Sequence, residues 1–165
     1  MARDLLDRLQ GRMDEDLDGL RRLPEGLRAV VDARYGEVTL RIDHDAEAEM
    51  LRIGVAIPSP AGAGPGFLVW CLAANAQYWD VKLGLDGRGF LLVHSDLDAH
   101  RGLDIDELAG AVVERAETVV DLLDDDLVEW MLKSGLGAPA QRERWIERRD
   151  DAIDDVDAED VESLT

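Results

Sequence analysis

The chain has 165 residues, enough for one domain with a substantial core and too few for two full-sized ones. Its 37 acidic residues against 18 basic ones give a formal charge of −19, which repels nucleic-acid phosphates and anionic lipid surfaces and sets both aside as direct partners. Cys71 is the only cysteine, so no intramolecular disulfide forms, and with no signal-peptide pattern at the start the default setting is cytoplasmic.

In chain order, DLLDRLQGRMDEDLDGLRRL sets Leu6, Leu9, Met13, Leu17 and Leu20 three or four residues apart among charges, the period of a helix with one apolar stripe. Either that helix ends near Leu23, before Pro24 and Gly26, or Pro24 opens a second short helix through Ala33; residues 24–33 stay open between helix and strand. From Tyr35 the period becomes two: Val38, Leu40 and Ile42, then Leu51, Ile53, Val55 and Ile57, predict two strands joined by a polar turn.

Phe67–Ala74 reads as a third strand, and as the longest uninterrupted apolar stretch it falls far short of the roughly 20 residues of a membrane helix. Val81–Leu85 and Phe90–Val93 flank Asp86-Gly87, a tight-turn signal, and predict a hairpin. The apolar residues from Ile105 to Met131 then recur at helical spacing for about seven turns, or roughly 40 Å. Asp104 with Glu107 supplies an N-terminal capping pattern, and Gly135, Gly137 and Pro139 supply the stop. QRERWIERR (141–149) suits a short helix with Trp145 and Ile146 docking back, whereas the acid-rich residues beyond it carry too little apolar surface to offset their ordering entropy.

The motifs argue mostly against chemistry. IPSPAGAGPGFLVW (57–70) has the glycines of a phosphate loop, but no Lys follows them and the apolar segment after them reads as a strand, so the run is expected to connect two strands. The stretch Asp96–Glu107 places Asp96, Asp98, Asp104 and Glu107 where a calcium loop would use oxygen ligands, with Arg101 at the position that requires Gly; it makes a divalent-ion-responsive domain the alternative function. His44, His94 and His100 show no zinc spacing, and no Gly-x-Ser-x-Gly elbow is present. Cys71, inside an apolar run, reads as a buried inert thiol. Trp70, Trp79 and Trp130 are the candidate partner-binding residues, because Trp carries large amphipathic contact area and is favoured at interfaces.

FLVWCLAAN ending in Asn75, the hairpin KLGLDGRGFLLVHSDL and the closing helix GLDIDELAGAVVERAETVVDLL together resemble the bacterial YbjN and type III secretion chaperone-like superfamily. The resemblance implies a homodimer, or a monomer using the same sheet, that binds an extended or partly unfolded segment of another protein and performs no catalysis. The chain departs from that pattern in its Pro-Gly loop 58–66, its acidic C-terminal stretch, and the lack of an evident helix around Ala73 to Asp80.

The sequence therefore predicts one α+β domain over 1–140, an antiparallel sheet of about five strands flanked by an N-terminal helix and a long C-terminal helix on one face. A charged, largely disordered acidic tail over 141–165 is expected to follow. The expected function is a non-enzymatic, chaperone-like protein binder with no cofactor, no catalytic residue and no bound metal, whose acidity attracts a basic partner.

Overall fold

The computed structural model describes residues 2–33, 36–58, 64–85, 90–100, 104–136, 139–140 and 142–148. Helix α1 (Ala2–Met13) leads into strands β1 (Arg21–Arg22), β2 (Gly26–Ala33), β3 (Gly36–Asp45) and β4 (Met50–Pro58). Helix α2 (Pro65–Gln77), strands β5 (Lys82–Leu85) and β6 (Phe90–Asp98) and helix α3 (Ile105–Asp121) follow. A widened π-helical stretch, Leu122–Val128, then continues into α4 (Glu129–Lys133). The α+β class and the antiparallel sheet agree with the sequence reading. The sheet has six strands in the order β1-β2-β3-β4-β6-β5, every neighbouring pair antiparallel.

Strand period two gives the sheet a dry face and a wet one. Leu27 and Ala29 of β2, Leu40 and Ile42 of β3, Leu51, Ile53 and Val55 of β4, and Leu91 and Val93 of β6 are all buried on the dry face. Helix α1 contributes Leu6, Leu9 and Met13 to the same core, and α3 contributes Leu108, Val112, Ala116 and Val119. Both helices are amphipathic, pack against each other, and cover this one face. The other face of the sheet carries no helix among the described residues.

Several elements differ from their sequence reading. The first helix stops at Met13 instead of near Leu23. Asp14, Glu15, Asp16 and Asp18 follow it at the negative end of the helix dipole, and Gly19 takes φ of 62°, so continuation is disfavoured twice. Of the two readings left open for residues 24–33, helix or strand, residues 26–33 take the second as β2, with Leu27, Ala29 and Ala33 turned inward.

The largest correction concerns residues 67–74, which belong to α2 and not to a strand. The Gly-rich run is therefore followed by a helix and not by a strand, and the first position of that helix is Pro65, where a missing amide hydrogen costs nothing. This is a helix of the kind that the sequence did not reveal around Ala73 to Asp80.

The long C-terminal helix begins as read. Asp104 Oδ1 accepts from the Asp106 amide at 2.8 Å and the Glu107 amide at 3.3 Å. The helix widens at Leu122–Val128, where Leu122, Leu123, Leu127 and Val128 all remain in the core. It ends at Gly135, φ 67°, with Leu136 donating back to the Met131 carbonyl at 2.9 Å, a glycine helix end. Residues 142–148 are helical and dock Trp145 against the core. The expected turn residues 86–89 and acidic residues beyond Arg148 lie outside the described residues.

Candidate functional site

Helix α2, PGFLVWCLAANAQ, contains no charged residue. A helix apolar on every side is normally enclosed by protein, because a surface helix keeps one polar face. Here only one side is enclosed. Phe67, Cys71 and Ala74 are buried on it. On the opposite side Leu68 is 49%, Val69 65% and Leu72 69% exposed, with Ala73 and Ala76 alongside them. The result is a continuous apolar strip open to solvent, of the kind that marks an interaction surface.

The aromatic residues frame this strip. Trp70, half-buried on α2, stacks on Trp130 of α4 with ring centroids 5.2 Å apart, and Phe67 packs on the same Trp130 ring at 5.7 Å. The three rings tie α2 to the end of the long C-terminal helical run. Trp79, in the turn after α2, is 90% exposed. The structure thus brings Trp70 and Trp130 together as a partly buried stack and leaves Trp79 projecting on its own, two residues beyond the helix.

The far end of α2 is held by its own side chain. Asn75 Nδ2 donates to the Leu83 carbonyl at 2.9 Å, and the Leu83 amide donates to Asn75 Oδ1 at 2.6 Å. Beyond, Asp80 pairs with Arg115 of α3 at 2.5 Å, fixing the turn that carries Trp79. Sequence reading missed Leu68, Val69, Leu72 and Asn75 because it placed them on a strand. Two signals could have found them: Pro65 in a helix-opening position, and thirteen successive residues without a charge ending in the helix-favouring LAANA.

The calcium alternative finds its acids otherwise engaged. Asp96 pairs with Arg52 at 2.8 Å and with Lys82 at 3.5 Å on the sheet, and Asp104 is a helix cap. Asp98 accepts from the His100 amide at 3.0 Å, while residues 101–103 lie outside the described residues. Among the described residues no group of three or more His, Cys, Asp or Glu could hold a metal ion.

His94 is mostly buried, and its Nδ1 lies 3.5 Å from Asp96 Oδ1, within ion-pair range but without hydrogen-bond geometry. Burial pushes its pKa below the ordinary value, and the nearby Asp96 carboxylate does not offset this. Burial alone would raise Asp96, but the Arg52 hydrogen bond and the charges of Arg52, His94 and Lys82 hold it below the usual carboxylate range. Burial raises the Cys71 thiol, which accords with an inert core position. No helix among the described residues is long and apolar enough to cross a membrane.

No protein-family model and no curated protein matches this chain. Solved structures do. The chain is similar to YbjN from E. coli, with a TM-score of 0.62 at 18% identity, over 81% of this chain and 96% of that one. It is also similar to a chain of the ExsC-ExsE complex, with a TM-score of 0.53 at 14% identity, over 74% of this chain and 92% of that one. At these identities the likeness is one of fold, and the fold is the YbjN and type III secretion chaperone-like one that the sequence resembles.

Proposed function

We propose that this protein is a non-enzymatic, chaperone-like scaffold that holds a segment of another polypeptide on its apolar α2 surface. The observation that carries the reading is the uncharged helix whose outer strip, Leu68, Val69 and Leu72, stays in water. Full burial of such side chains is worth about 1.5–3 kcal/mol each, and since they are half to two-thirds exposed, a partner would recover about 1–2 kcal/mol each on docking. Trp79 would supply an exposed anchor, and the Trp70–Trp130 stack a firm backing. A partner-binding role also accords with a chain of similar fold having been solved within the ExsC-ExsE complex.

In this reading the binding domain spans 1–140, the charged residues 141–165 are an appendage, the setting is cytoplasmic, and two copies associate as a homodimer. The excess of acid attracts basic segments of the partner at long range. Capture of a partner from the source extract, compared between the wild-type chain and V69D/L72D, tests the proposal. The partner should be retained by the first and lost by the second, with unfolding midpoints alike. Equal retention by both would overturn the assignment of this surface.

A further inference from the structure

The register of the six strands assembles a row of cations that no stretch of sequence displays. Arg21 lies opposite Arg28, Arg28 opposite Arg41, Arg41 opposite Gly54, Gly54 opposite His94, and His94 opposite Lys82. Residues opposite one another share a face, here the one that α1 and α3 leave uncovered. With strands about 4.8 Å apart, the row crosses the sheet for roughly 24 Å. Four of its six members are permanent cations, in a chain where acids outnumber bases 37 to 18.

Like charges directly opposite one another on a sheet are destabilising, so Arg21, Arg28 and Arg41 are placed at a cost. Their neighbours do not neutralise it fully. Arg41 pairs with Asp43 at 2.8 Å, and Lys82 reaches Asp96 only at 3.5 Å, an acid that already holds Arg52. Among the described residues Arg28 has only a 3.5 Å hydrogen bond to the Thr39 hydroxyl. Neither Arg21 nor Arg28 forms an ion pair with a described residue. At the middle of the row, Gly54 leaves a notch of about 320 Å³ whose charged lining is Arg41, Arg52 and one acid, Asp43, itself paired with Arg41, beside Ala56, Phe90 and His94. On the next row Val30, Ala56 and Leu92 give the stripe an apolar flank.

We infer that this row is a second docking surface, and that its occupant is an extended acidic segment of a partner polypeptide, with carboxylates on the arginines and apolar residues along the flank. Charge complementarity carries the choice, since guanidinium groups take carboxylates in bidentate pairs. A polypeptide is favoured over nucleic acid because the surrounding charge of −19 repels a continuous phosphate chain more than a short acidic segment. The inference deepens the partner-binding reading and rests on it only for the class of occupant, since it concerns a different face from α2.

Fluorescence anisotropy with a labelled peptide of alternating Glu and Ala, about eight residues long to match the row, tests it on the full chain. Binding should occur at low salt and weaken about tenfold or more in R28E. It should be unchanged in K133E, which alters net charge equally at an exposed site on α4. R28E should also raise the unfolding temperature by relieving the Arg21–Arg28–Arg41 repulsion, so its loss of binding cannot be loss of fold. No binding at millimolar peptide, binding indifferent to R28E, or preference for a DNA duplex would each overturn the inference. Binding that appears only after the acids of 150–162 are changed to amides would overturn it too, by giving the row to the chain's own segment. Persistence of α2-dependent partner capture in any of those cases would leave the broader reading standing.

Discussion

Asn75 and Leu83 exchange two hydrogen bonds, one in each direction, so a side-chain amide on α2 occupies the backbone positions that a seventh strand would take on β5. The pair does two jobs. It docks the end of the apolar helix on the sheet, and it blunts the β5 edge against pairing with other chains. Changing Asn75→Ala leaves a part-buried amide and carbonyl without partners, which should cost about 1–3 kcal/mol. Urea unfolding monitored by tryptophan fluorescence would read this, and Asn75→Asp, which keeps the acceptor but loses the donor, should fall between the two.

Gly54 should tolerate no side chain. A Cβ there would sit 2.7 Å from both the His94 Cβ and the Val93 carbonyl oxygen, and neither can swing away because both belong to the paired strand. Gly54→Ala is expected to destabilise by about 1–3 kcal/mol through overpacking, measured as a lowered midpoint in chemical denaturation.

Ser95 is fully buried on the dry face, and its hydroxyl has no hydrogen-bond partner among the described residues. Ser95→Ala removes an unsatisfied polar atom for little lost volume, so it should stabilise the fold by roughly 1 kcal/mol. The melting temperature would rise; a fall would mean that the hydroxyl is satisfied in solution.

Acidification should weaken the fold in two steps. His94 is held below its ordinary value of 6.5, so the unfolded chain binds its proton more readily. The stability contributed by neutral His94 is full above pH 6.5 and is lost as pH falls through the lower folded value. Asp96 lies below its ordinary 3.8, so its contribution is present above that pH and is lost further down. Stability measured from pH 7 to 5 should fall with a shallower slope in His94→Gln than in the wild-type chain.

Legibility in the sequence followed local periodicity. The β3–β4 pair and the long C-terminal helix announced themselves because Leu40, Ile42, Ile53 and Val55 alternate with polar or small residues, while Val112, Ala116 and Val119 recur at helical steps. β2 was obscure because its inward residues include Ala29 and Ala33, too small to mark a face, while Val30 points outward.

Helix α2 defeated the period argument through its own composition. Its outer strip is as apolar as its inner one, so no alternation of polar residues separates helix from strand over so short a run. The same property makes it the candidate interface. The Trp70–Trp130 stack and the row from Arg21 to Lys82 depend on register and tertiary packing between distant residues, which local composition does not encode.

The central claim is that the α2 strip and Trp79 are the surface on which a partner polypeptide sits. Hydroxyl-radical footprinting of the purified chain, alone and in complex with the partner it captures, tests this directly. Leu68, Val69, Leu72 and Trp79 should be oxidised in the free chain and protected in the complex, while exposed residues of α3 are unchanged. Continued oxidation of Leu72 and Trp79 in an intact complex would contradict it.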